Sequence, residues 1–341
     1  GQGPWGQAIP VVISTGVAGT SAVGSVSFVT TALVQPTGVA ATGALGNENI
    51  IIDTIVLEDG VVGTDQPYPT GGTYQRPFAT IDYAIGQCTA SRGDVILAMP
   101  GHTETVSAAG SISCDVAGVA IIGLGAGSLR PTISFTTAAA AAITVSAADV
   151  TWKNVILSAG FADVSEAFTV TATGFTLEDA EAVDVAAAKN FVDIIDTNTS
   201  NNSADDLTVI NLKWITPDTS SGSVVNVDAD LDGLTILDCY TNLGVNGVLS
   251  SLAEVAAGKD LTNINVQRNY CTRLVTGSAV QLITFADTTT TNTGLCADNF
   301  CRSLDTAGEL IITAGTNITF MNNKTTSAID KSGYLLPGVD S

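Results

Sequence analysis

The acidic run Asp228-Ala-Asp230-Leu-Asp232-Gly233 is the densest set of candidate ligands in this chain. Alternating carboxylates before a glycine begin like a calcium loop of the D-x-D-x-D-G type. The twelfth position, where a bidentate Glu would complete the shell, holds Cys239 instead, so the pattern fails there. Asp228, Asp230 and Asp232 therefore stand as weak Ca2+ candidates, with a solvated turn as the favoured reading. No other cofactor is expected. Asp205-Asp206 directly precedes an apolar stretch and reads as a turn.

Nucleophilic or acid–base chemistry finds little support. His102 is the single histidine and follows Pro100-Gly101 in a turn. No G-x-S-x-G elbow exists to serve a triad through it. Lys259, Arg268 and Arg273 fall near one another but form no constellation with the acidic run. No catalytic residue is assigned. The six cysteines, Cys88, Cys114, Cys239, Cys271, Cys296 and Cys301, show no metal-binding spacing. Several occupy apolar positions, which reads as buried reduced thiols suited to assembly in a reducing cytoplasm. Trp152 falls at a core position, whereas Trp214 lies just beyond an apolar stretch, where it could be exposed to stack on a sugar ring.

The elements that must position these residues are strands. Hydrophobic residues make up 45% of the 341 and charged ones only 13%, too few to coat surface helices. Small, β-branched and Asn/Asp residues favour short strands and tight turns. Twelve basic residues against 33 acidic ones give a net charge of −21. Such a field repels phosphate backbones and anionic bilayers, so neither nucleic acid nor membrane insertion is expected. The chain begins at Gly1 without Met, shows no apolar run of membrane-spanning length, and displays no basic-then-apolar leader.

Residues 1–65 are nearly uncharged and carry an internal repeat, TGVAGTSAVG at 15–24 and TGVAATGALG at 37–46. Apolar runs at 11–13, 26–29 and 50–55 read as strands. This stretch is expected to be a β-rich arm or small module for attachment and subunit contact. A Pro/Gly-rich linker at 66–77 leads into an amphipathic helix over 78–89, with Phe78, Ile81, Ile85 and Cys88 on its apolar face. Linker and helix together span 66–92.

From residue 93 to 341 the chain reads as a solenoid. A unit of apolar, small polar, apolar, any residue and Asn/Asp recurs as VTWKN (150–154), FTLED (175–179), LTVIN (207–211), LTILD (234–238) and ITFMN (318–322). Looser copies are VAIIG (119–123), INVQR (264–268) and LCADN (295–299). Intervals of 23 to 32 residues fit a rung of two or three short strands, since turns absorb insertions. Asn154, Asp179, Asn211, Asp238, Asn299 and Asn322 are expected at equivalent left-handed corners, with Gly123 and Arg268 breaking the series. The helix stands where an N-terminal cap is needed to cover the first rung.

The segment at 69–106 resembles the opening region of pectin-lyase-like right-handed parallel β-helix proteins. The resemblance is carried by Gly72-Thr73, Pro77-Phe78, Thr80-Ile81, Ala84-Ile85, Gly93-Asp94, Pro100-Gly101, Glu104 and Val106. The form MPGHTETV, the Gly/Val-rich N-terminal repeat and Trp5-Gly6 are similar in style to structural proteins of marine bacteriophages. The resemblance implies an all-β fold and a surface-exposed virion protein, a tail spike, fibre or capsid decoration, usually a homotrimer. On that reading the chain is assembled in the host cytoplasm, attaches to other virion proteins through residues 1–65, and is not an enzyme. Contact with a host surface glycan, or depolymerisation of one by paired carboxylates, is the alternative. A bacterial surface or filament protein of the same fold is the third reading.

Overall fold

The computed structural model describes residues 49–52, 63–67, 70–186, 188–197, 200–216, 222–243, 251–273, 282–285, 291–303 and 317–326. The chain divides into two compact units, Gly1–Ala44 and Leu45–Ser341, and the described residues all belong to the second. The TGVA repeat and most of the expected arm lie outside them.

Among the described residues every pairing between strands is parallel, and three long sheets form the walls of a β-helix, as the repeat requires. Among the described residues wall 1 has ten strands, from Asn49–Ile52 and Val95–Ala98 to Asn317–Met321. Among them wall 2 has nine, from Thr103–Thr105 to Lys324–Thr326, and wall 3 has seven, from Ile112–Cys114 to Ile283–Phe285. A further short pair joins Leu231–Asp232 to Leu261–Thr262. Each rung runs along wall 1, turns a corner into wall 2, and returns by wall 3. The strand Asn49–Ile52, within the stretch expected to be an arm, pairs with Val95–Ala98 at the edge of wall 1.

Alternation along each strand aims one side chain inward per two residues. Equivalent inward positions therefore stack along the axis. Wall 1 contributes Ile96, Ile121, Trp152, Leu177, Val209, Ile236, Val266 and Cys296, all fully buried. Trp214 joins the inward column of wall 2 and is fully buried, with its Nε1 donating to Asp184 Oδ2 at 3.3 Å. The exposure anticipated for it is corrected: the chain past Asn211 turns straight into the strand Lys213–Thr216, and alternation points Trp214 inward.

The cap helix is shorter than 78–89, spanning Ile81–Ile85. Thr80 caps its start and Gly86 ends it, after which Gln87 and Cys88 bond to carbonyls three residues back as a tightened turn. Phe78, Ile81 and Ile85 are buried as expected, while Cys88 is half-buried. Asp65 accepts from the Ala79 and Thr80 amides, and Glu104 Oε2 accepts from the Ile81 amide at 2.8 Å, so carboxylates from two other segments fix the helix start.

Candidate functional site

The corner between walls 1 and 2 is a column of left-handed residues. Asn154, Asp179, Asn211, Asp238 and Asn322 have φ between 52° and 58°, as expected. Two assignments are corrected. Arg268 (φ 55°) occupies the same corner rather than breaking it, and the corner of the next rung is Asp298 (φ 58°), not Asn299. The LCADN copy is slipped by one residue, because Ile264 pairs with Gly294 and Val266 with Cys296. Arg268 is held by a two-pronged ion pair to Asp238, at 2.8 and 2.7 Å, and Asn211 Nδ2 donates to Asp179 Oδ1 at 2.8 Å. Gly123 stands at the equivalent position without a left-handed φ, so it does break the series, and a Cβ there would run into the Asn154 carbonyl oxygen.

From the rung of Asn154 onward the next residue along is buried: Val155, Ala180, Leu212 and Cys239, then Asn269, Asn299 and Asn323. The last three form a continuous ladder. Asn299 Oδ1 accepts from the Asn269 amide at 3.0 Å and Nδ2 at 2.9 Å, and Asn323 Oδ1 does the same for Asn299. Each Nδ2 also reaches a wall-1 carbonyl, Ile236, Val266 or Cys296. Beside this ladder the rings of Tyr240, Tyr270 and Phe300 stack face to face, with centroids 5.5 and 4.9 Å apart. Lys213 precedes Tyr240 and Lys324 follows Phe300 in the same outward register. A half-open depression lined by Asp298, Asn299, Phe300, Asn322 and Lys324 lies at the last described rungs.

The run Asp228–Asp232 does not converge on one point. The Asp228 amide donates to Thr197 Oγ1 (3.0 Å), and the Asp228 charge acts on Asp196 and Glu254. Asp230 Oδ1 accepts from the Asp260 amide (3.0 Å), and Asp232 Oδ1 accepts from Thr262 Oγ1 (2.8 Å) and Asn263 Nδ2 (2.6 Å). Two of the three carboxylates are thus turn braces to the following rung. No group of three metal-ligating side chains forms among the described residues. Gly233 belongs to a second left-handed column with Gly118, Asp149, Gly174, Asp206 and Asn263, before the wall-1 strands.

Sequence reading missed a face where carboxylates gather among the described residues. On the outer side of wall 3, Glu166 pairs directly with Asp193, and Asp196, Asn226 and Glu254 follow one another in register. Glu166 Oε1 accepts from Thr169 Oγ1 at 2.8 Å. Asp193 Oδ1 accepts from both the Ser223 amide and its hydroxyl at 2.7 Å, and Asn226 Nδ2 donates to Asp196 Oδ1 at 3.4 Å. Burial, with Glu254 and Glu166 nearby, pushes Asp193 up to about 6 against the opposing Ser223 bonds. Burial, with the charges of Asp228, Glu166 and Asp193, pushes Asp196 up to about 7. Burial and Asp228 also raise Glu254. Ion pairs among the described residues, such as Lys153–Glu178, Lys213–Glu181 and Arg268–Asp238, lie on walls 1 and 2 and their corner. Strand spacing places Glu166 and Asp193 backbones roughly 4.8 Å apart, and Asp196 and Glu254 roughly twice that.

His102 is fully buried and braces the cap: its Nε2 lies 3.3 Å from Glu104 Oε2, which also holds the helix start. No helix among the described residues is long and apolar enough to cross a membrane.

No protein-family profile matches the chain, and no curated protein matches it. Among solved structures it is similar to a rhamnogalacturonan lyase, with TM-score 0.44 and 12% identity over 85% of this chain and 89% of that one. It is also similar to ORF18 of Geobacillus virus E2, with TM-score 0.30 and 11% identity over 76% of this chain and 58% of that one. The parallel β-helix itself rests on the strand register.

Proposed function

We propose that this chain is a structural protein of a bacteriophage particle, a rigid β-helical rod displayed on the virion surface and attached through its N-terminal region. The observation that carries this reading is where the polar and aromatic side chains spend their interactions. Asn269, Asn299 and Asn323 bond along the axis, Tyr240, Tyr270 and Phe300 stack along it, and Asp238 and Arg268 pair along it. Groups arranged this way stiffen a rod and resist unwinding of single rungs. The stacked rings offer mainly their edges to solvent, which suits stiffness better than sugar stacking. A homotrimer joined through the part of residues 1–65 that precedes the wall-1 strand Asn49–Ile52 is part of the same proposal.

Labelling intact particles with an antibody to residues 93–341 and imaging them tests this. Regular decoration of the capsid or tail is expected. Recovery of the chain only as a free protein that cleaves polysaccharide would reverse the assignment. Light scattering on the purified chain should return three times the monomer mass.

One observation favours a second reading. The carboxylates of wall 3 include Asp196, pushed up to about 7 as the proton donor of a glycoside-cleaving pair requires, beside further carboxylates that could serve as its ionised partner. Under that reading Asp196 is the protonated acid. Reducing-end release from acidic and neutral polysaccharides at pH 5–7, abolished by Asp196→Asn, would support it; no release from a panel that includes the host's own surface glycan would remove it.

A further inference from the structure

Cys271 and Cys301 stand directly opposite one another on the neighbouring strands Tyr270–Arg273 and Phe300–Ser303, one rung apart. Both point into the core and are 2% exposed. Neighbouring strands lie roughly 4.8 Å apart, inside the span of about 4.4–6.8 Å between Cα atoms that a disulfide bridges. Each thiol shifts the proton affinity of the other. Thr241 precedes Cys271 in this column and Thr325 follows Cys301, so the column contains one adjacent cysteine pair and no third.

The two sulfurs are not equivalent. The side chains of Cys301 and Thr241 favour the Cys271 thiolate and hold it below the usual thiol value. Cys301 is pushed well above that value, chiefly by burial. The other buried thiols lack this arrangement. Cys114 accepts from Trp152 Nε1 at 3.4 Å, Cys239 lies in the buried column just past the corner, and Cys296 is on wall 1 beside Asn299. Burial pushes each of these three up to about 12.

We infer that Cys271 and Cys301 are an oxidisable pair and that a small peroxide converts them to a disulfide joining two successive rungs. The thiolate of one attacks one oxygen of hydrogen peroxide, the O–O bond breaks, and hydroxide leaves, giving a sulfenic acid. The sulfur of the other then attacks the oxidised sulfur; the S–S bond forms, the S–O bond breaks, and water departs. In sum, two thiols and one hydrogen peroxide become one disulfide and two waters. The thiols give up two electrons and two protons. Peroxide is small enough to enter a core that excludes glutathione. The inference does not depend on the functional reading above.

The test is to treat the full chain, purified under reductant and then freed of it, with hydrogen peroxide. The protein is then denatured, its free thiols are alkylated, and a non-reduced digest is analysed by mass spectrometry. The expected product is a peptide pair linked through Cys271 and Cys301 and lighter by two hydrogens, lost on reduction. The Cys301→Ser variant should give no cross-link and leave Cys271 as a sulfenic acid trapped by a dimedone probe. A cross-link through Cys296 or Cys239 in the wild type would overturn the inference. So would retention of both Cys271 and Cys301 thiols at peroxide levels that oxidise half-buried Cys88.

Discussion

Replacing Asp196 by Asn removes a charge that the folded chain holds at a cost. Asp196 lies half-buried on wall 3 between the strands carrying Glu166 and Asn226, with Asp228 and Asp193 close by. Its carboxyl titrates at about 7 in the folded state against an ordinary 3.8. A tenfold change in proton affinity is about 1.36 kcal/mol, so the whole gap would approach roughly 4 kcal/mol. Solvent reaches much of the side chain, and screening reduces this to about 1–2 kcal/mol. The sign follows from linkage: the folded chain binds the proton more tightly than the unfolded one. The contribution is therefore fully present below about pH 3.8 and is lost as pH rises through 7. Asp196→Asn should stabilise the chain by about 1–2 kcal/mol at pH 8 and leave it unchanged near pH 3.5. Urea unfolding followed by circular dichroism at the two pH values measures both numbers. Equal effects at both pH values, or a less stable variant at pH 8, would refute the reasoning, since either result means the ionised carboxylate is not strained.

Asn299→Ala leaves the Asn269 amide and the Val266 carbonyl without a ladder partner in the core, and should cost about 3–5 kcal/mol; hydrogen exchange at the Asn269 amide should accelerate with it. Gly123→Ala drives a methyl toward the Asn154 carbonyl oxygen and should cost about 3 kcal/mol, read as a lowered urea midpoint. Tyr270→Ala removes both ring contacts in the stack, each worth about 0.5–1.5 kcal/mol, and should weaken the near-ultraviolet circular dichroism of the tyrosines.

Much of the fold was legible because a solenoid writes its contacts into short, recurring segments. Alternation within VTWKN or LTILD decides which residues face inward, and Asn or Asp at the end supplies the left-handed corner. Even the slipped register could have been found. The pairs Asn269-Tyr270-Cys271 and Asn299-Phe300-Cys301 recur 30 residues apart and place Asp298, not Asn299, beside Arg268. Arg268 looked like a break because its residue type is uncommon in that conformation; the ion pair to Asp238 is a compensation that only the stacked rungs provide.

The sequence by itself determined the rung, most of its corners and the place of the cap, since these depend on neighbours within one turn of chain. The tertiary structure alone decided which carboxylates meet. Asp228, Asp230 and Asp232 are adjacent in sequence, yet two of them turn away to brace the next rung. Glu166 and Glu254 come from other rungs than Asp193 and Asp196, which share one strand, and no motif links the three segments, yet strand pairing brings them onto one wall. The same holds for Cys271 and Cys301. Contacts along the axis are set by how many residues each loop absorbs between rungs, and that length varies without changing the pattern of any single rung.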